Sequence, residues 1–123
     1  MKTAIFIVTP DAEGFSELSR EMSSEKDFDV TIAGSGTETL DLIRNKSVDL
    51  VVADEDLGDM TGLKFAEKLV HLNPLVNCAL VSSLTPEEFH EVSEGLGILS
   101  QLPPRPSRES TEELMEKLLK IKG

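Results

Sequence analysis

The residues best placed to do chemistry are the acids Asp54, Glu55, Asp56 and Asp59, which follow directly on the apolar run Leu50-Val51-Val52-Ala53. A short uninterrupted apolar run of this kind suits a strand buried on both faces of a sheet. In open α/β sheets ligands bind outside the carboxyl ends of the strands, so an acid emerging there can bind a cation or attack an electrophile. The plain alternative is that Asp54 only starts a turn, since aspartate side chains readily cap nearby backbone donors. Other reactive types are sparse. The one cysteine, Cys78, lies in the apolar run Val76 to Val81, where a reduced thiol acts as a small hydrophobe. His71 and His90 fall on predicted helix surfaces with no neighbouring Cys or His to complete a metal set.

The elements that must carry Asp54 can be read from the change of period along the chain. Thr3 to Val8 is a predicted strand. Asp11 then caps a helix whose apolar positions are Ala12, Phe15, Leu18 and Met22. Phe28 to Ala33 alternates as a second strand, and Ser35-Gly36-Thr37-Glu38 forms a capping box for a helix through Leu40 and Ile43. Asp49 to Ala53 is the third strand. The loop from Asp54 to Thr61 leads to a helix at Gly62 with Leu63, Ala66, Leu69 and Val70 on its apolar side, ending at Asn73-Pro74. Val76 to Ser82 is a fourth strand, and Thr85-Pro86-Glu87-Glu88 opens a helix through Phe89, Val92 and Leu96. Ile98 to Leu102 is a weak fifth strand. Ser110-Thr111-Glu112-Glu113 is placed to cap a last helix with Leu114, Leu118 and Ile121 on its stripe. Five alternations of strand and helix imply a parallel sheet with helices on both faces and right-handed crossovers.

With 123 residues the chain is the size of one ordinary domain, so residues 1–123 are expected to fold as one unit. An apolar fraction of 39% with 28% charged residues is that of a globular protein, and no apolar run is long enough to cross a bilayer. The run Ala4 to Val8 is too short for a signal-peptide core and meets Pro10 and Asp11 directly, so a cytoplasmic location is expected. A net charge of −11 argues against nucleic acid as a partner, because binding a phosphate backbone needs clustered Lys and Arg. The same charge suits encounters with basic protein surfaces.

At this point the chain resembles the receiver domain of two-component response regulators. The likeness is carried by Asp49-Leu50-Val51-Val52-Ala53-Asp54, by Met60-Thr61-Gly62-Leu63 at the family's offset, and by Ser82 at the end of the fourth strand. It implies an α/β, flavodoxin-like fold with one five-stranded parallel sheet in the order 2-1-3-4-5 flanked by five helices. It also implies that Asp54 accepts a phosphoryl group from a histidine kinase or phosphotransfer protein and that Ser82 contacts that group. The domain would then signal to a downstream protein and would not be an enzyme beyond releasing its own phosphoryl group. The chemistry is in-line attack by a carboxylate oxygen on phosphorus, with a divalent cation and fixed donors neutralising the charge.

Three departures from the family pattern stand out. Where the family has an acidic pair after the first strand to hold Mg²⁺, this chain reads Thr9 and Pro10. Asp11, one position on, reaches the site only through a displaced loop and suits a helix cap better. The candidate metal set is therefore Asp54, Asp56 and Asp11, and Mg²⁺ binding is expected to be weak or absent. The family's lysine after the fifth strand falls between Leu102 and Pro104 when counted from Gly95 and Gly97, and at Arg105-Pro106 when counted back from the last helix. Arg105 is the candidate phosphoryl contact, as a permanent, bidentate cation. No Phe follows Phe89 and the chain has no Tyr or Trp, so the family's aromatic switch on the fifth strand is missing.

Two mechanisms fit these residues: phosphorylation of Asp54 with a degraded cation site, and a pseudo-receiver that signals by protein contacts independently of phosphorylation. A homodimer through helix four, strand five and helix five is a family arrangement that the altered fifth strand leaves open. In another class, Asp54-Glu55-Asp56 resembles the acid pair of haloacid-dehalogenase-type phosphohydrolases. Against that reading, the pair normally follows the first strand, and this chain has no later acidic pair and no room for a cap. A flavin carrier would need phosphate-cradling loops and flanking aromatics, which Gly34-Ser35-Gly36 does not provide.

Overall fold

The stretches Thr3–Val8 (β1) and Leu50–Ala53 (β3) lie side by side in the middle of a parallel sheet in the computed structural model, which describes residues 2–122. With Phe28–Ala33 (β2), Asn77–Val81 (β4) and Ile98–Leu102 (β5), the strand order is β2-β1-β3-β4-β5, as the sequence led us to expect. The returns run through Ser16–Ser23 (α1), Gly36–Arg44 (α2), Gly62–Leu72 (α3), Pro86–Ser93 (α4) and Arg108–Lys122 (α5). All four residues of β3 are buried, which is why the run shows no polar alternation.

Successive side chains of a strand point to opposite faces, so β1 and β3 feed two separate cores. Ile5, Ile7, Leu50 and Val52 pack with Leu18 and Met22 of α1 and with Leu114 and Leu118 of α5. Phe6, Val8, Val51 and Ala53 pack with Ile43 of α2, with Phe65 and Leu69 of α3 and with Phe89 of α4. The two layers fix β3 in the centre, with its carboxyl end between those of β1 and β4.

Several element ends differ from the sequence reading. Asp11 does accept a hydrogen bond from the Gly14 amide, but Ala12–Phe15 is a 3₁₀ turn that leaves Ala12 exposed, and α1 begins only at Ser16. Ser35 accepts from the Glu38 amide without the Glu38 side chain returning the contact; the carboxylate of Asp59 instead meets the amides of the two residues that follow Ser35. The box at Thr85 and Glu88 is complete, with Pro86 at the first helical position. The last helix starts ahead of its expected cap: Ser107 and Ser110 exchange amide-to-hydroxyl bonds of 3.3 and 2.9 Å. The earlier start brings Thr111 into line with Leu114 and Leu118 on the buried stripe, whereas Ile121 is exposed. In α4 the buried positions are Phe89 and Ser93, and Val92 faces outward.

Candidate functional site

β1 and β3 pair with Val8 opposite Ala53, so the next residues, Thr9 and Asp54, leave the sheet together. The Asp54 amide donates to the Val8 carbonyl at 2.9 Å and keeps the chains in step for that extra residue. Beyond it the Thr9 hydroxyl donates to Asp54 Oδ2 at 2.7 Å, and the Glu55 amide donates to Oδ1 at 2.7 Å. The Thr9 oxygen in turn accepts from the Asp11 amide at 2.9 Å. Thr9 is buried and Asp54 half-buried, so the carboxylate stands at the mouth formed by the strand ends with each oxygen already on a donor.

The loop after Asp54 is a closed turn. The Leu57 amide donates to the Met60 carbonyl, the Gly62 amide donates to the Glu55 carbonyl, and buried Leu57 anchors the loop. Gly62 is needed where it stands, because a Cβ there would collide with the Asp54 carbonyl oxygen. The start of α3 thus rests directly on the backbone of the candidate nucleophile, and Thr61 caps it by accepting from the Lys64 amide.

Asp59 reaches across to α2. Its carboxylate accepts from the Gly36 and Thr37 amides, each at 3.0 Å, and from the Thr37 hydroxyl at 2.7 Å. These contacts, the Thr37 hydroxyl foremost, hold its pKa down at about 2. An anion at a helix N-terminus also meets the positive end of the helix dipole.

On the other side of Asp54, the segment Ser82-Ser83-Leu84 is tied at three points. Glu55 Oε2 accepts from both the amide and the hydroxyl of Ser83, each at 3.0 Å. The Ser82 hydroxyl accepts from the Leu84 amide at 3.1 Å. From β5, the Gln101 amide group donates to the Leu84 carbonyl at 2.9 Å. Gln101 gains this reach next to a bulge: Cys78 pairs with Ile98 but Ala79 with Ser100, which leaves Leu99 extra.

The remaining candidates lie apart. Leu102, at one of the two registers counted for the family lysine, is buried at the end of β5 and accepts from the Ser82 amide through its carbonyl. Arg105 is exposed in the β5–α5 loop with a left-handed φ of 53°, its stem beside Gly14, and among the described residues it makes no ion pair with Asp54. The carboxylate of Asp11 serves the Gly14 amide and that of Asp56 the Gly58 amide. Among the described residues no three His, Cys, Asp or Glu side chains gather as a metal set. Asp54, Asp56 and Asp11 each serve a separate backbone donor, which does not fit an octahedral cation that needs converging oxygens.

The family model for the response regulator receiver domain matches residues 5–103, the span from β1 to just past β5. The chain belongs to that family. No curated protein matches this receiver domain closely enough to count as a relative. Among solved structures, a response regulator receiver domain protein (CheY-like) from Methanospirillum hungatei JF-1 is 25% identical with a TM-score of 0.84, over 99% of this chain and 98% of that one. The signal receiver domain of an HD domain-containing protein from Pseudomonas fluorescens Pf-5 shares the fold at 17% identity and a TM-score of 0.83, over 98% and 89% of the two chains. A response regulator protein from Burkholderia pseudomallei, with a phosphorylated aspartic acid, calcium ion and citrate, shares it at 16% and 0.71, over 97% and 75%. The protein is therefore a CheY-like receiver domain of two-component signalling, a class that interacts with histidine kinases and downstream partners. Among the described residues no helix is long and apolar enough to cross a membrane.

Sequence reasoning named Asp54, Ser82 and, among the neighbouring acids, Glu55, but gave no site role to Thr9, Ser83 or Gln101. The signal for Thr9 was available: it ends a strand that neighbours β3 at the same height. The contact of Glu55 with Ser83 and that of Gln101 with Leu84 carried none, because they join residues 28 and 17 positions apart.

Proposed function

We propose that this receiver domain signals through protein contacts, in a conformation set by its own hydrogen bonds and not by a phosphoryl group on Asp54. The observation that carries the reading is the contact of Glu55 with Ser83: a resident carboxylate already occupies the amide and hydroxyl that follow the fourth strand. In the family the hydroxyl at the Ser82 position moves toward an arriving phosphoryl group. Here that hydroxyl is engaged by the Leu84 amide, and Gln101 secures the same segment from β5. The Thr9 hydroxyl gives Asp54 a donor where the family has an acid for the cation, and buried Leu102 stands at one register counted for the lysine. No step in this reading passes through Mg²⁺.

Phosphorylation of Asp54 is the second reading, favoured by its half-exposed place at the mouth and by the lone pairs that remain when each oxygen has a single donor. In it a carboxylate oxygen bonds to phosphorus as the bond from phosphorus to the donor's leaving group breaks. Incubation with acetyl phosphate and Mg²⁺, followed by intact mass, separates the two. We expect no phosphoryl mass gain and unchanged amide spectra for α4 and β5. A stoichiometric gain that Asp54→Asn abolishes would establish the second reading in place of the first.

A further inference from the structure

The chain carries 12 Lys and Arg against 23 Asp and Glu, yet one cleft inverts that balance. Between α2 and α3 lies an open groove of about 420 Å³ whose charged lining is Arg44, Lys64 and Lys68 against the single carboxylate Glu67. Leu40 and Leu72 supply its apolar surface, the first half-buried on the core and the second exposed.

The cations are weakly committed. Arg44 faces Asp41 at 3.9 Å and Lys64 faces Glu67 at 3.8 Å, and all four side chains are more than half exposed. Such exposed pairs contribute little and exchange readily for better partners. Among the described residues Lys68 makes no ion pair. His71 lines the same groove with Nδ1 held 2.8 Å from the Glu67 carbonyl, which fixes the ring at the rim.

We propose that this groove docks an acidic peptide segment of a partner protein, with one apolar side chain between Leu40 and Leu72 and carboxylates over Arg44, Lys64 and Lys68. Charge complementarity selects the sign of the occupant, and the leucines require an apolar anchor that a polyphosphate lacks. The chain's net charge of −11 repels an extended nucleic acid, while the groove's local excess of cations leaves a short acidic segment a local well. The site extends the reading that the domain works by protein contacts, but it lies on the α2–α3 face, and its occupancy does not depend on the state of Asp54.

The test uses a fluorescein-labelled peptide of Leu, Asp and Glu, its uncharged Leu, Asn and Gln counterpart, and nitrogen-15 amide spectra of the full chain. The acidic peptide is expected to shift amides of α2 and α3, to bind more weakly as salt rises, and to lose about tenfold in affinity to K64E/K68E. Leu72→Gln, an exposed change that leaves the charges intact, is expected to weaken binding at least threefold and guards against a folding defect in the charge reversal. Shifts confined to another face, equal binding of the uncharged peptide, or equal binding by K64E/K68E would overturn the proposal. So would displacement of the peptide by a single-stranded oligonucleotide or a phosphatidylserine vesicle, or a dimer that K64E/K68E dissolves, since each assigns the groove to another occupant. Phosphorylation of Asp54 in the acetyl phosphate experiment leaves this outcome untouched, so the two readings fail separately.

Discussion

At the scale of single residues, carboxylates do different work according to the donors they meet. Asp54 is oriented by one hydroxyl and one amide, Glu55 bridges to Ser83, and Asp59 clamps the first turn of α2. Asp59 lends itself to measurement because its pKa falls from 3.8 to about 2 in the folded chain. A depressed carboxylate favours the folded state when ionised, so its contribution is complete above the unfolded value and is lost as pH drops through the folded one. Between pH 3.8 and about 2 the wild type should therefore lose stability that Asp59→Asn lacks from the outset. The size is small, because Asp59 is solvent-exposed and its contacts are screened. Urea unfolding across that range checks the slope, and carboxyl carbon shifts check the midpoint; a midpoint near 3.8 would remove the clamp. None of these roles was visible from Asp54-Glu55-Asp56 as a string. The acids could be located, but which donor each would find depends on residues such as Ser83 and Thr37 that only the fold brings near.

At the scale of elements, the site rests on where α3 begins. Gly62 lets the helix start against the Asp54 carbonyl, and Thr61 fixes that start with a cap. Gly62→Ala should cost about 2–3 kcal/mol, because the new methyl meets backbone that cannot rotate away as a side chain would. Gly58, with φ of 86° and open space around its α-carbon, is the control: Gly58→Ala should cost only about 1–2 kcal/mol, from conformation alone. Urea midpoints for the two variants decide the order, and a Gly62→Ala protein as stable as wild type would show that the loop yields. The motif Met60-Thr61-Gly62 was legible in the sequence, as were the strands and most helix starts. The start of α5 was not, because Ser107 and Ser110 are both competent caps and burial of Thr111 decides between frames.

At the scale of the whole molecule, two core layers close over the central strands, and Cys78 of β4 is sealed in the layer that holds Phe65 and Leu69. Burial pushes its thiol up to about 12, so the reactive thiolate is scarce at neutral pH. Labelling by a disulfide reagent should follow global unfolding measured in urea, and labelling at the rate of a free thiol in native buffer would reveal local opening of β4. The fold was readable from sequence because a parallel sheet covered on both faces writes itself as alternating apolar runs and amphipathic helices, with one acid, Asp54, left at the end of the central strand. That periodicity determined five strands, five helices and the emergence of Asp54 at the carboxyl edge. What Asp54, Ser82 and Arg105 would touch was decided only by the tertiary structure, since the ties at the mouth join separate loops. A hydrogen bond at 3 Å depends on offsets and bulges, such as the extra residue at Leu99, that leave no mark in the order of residue types.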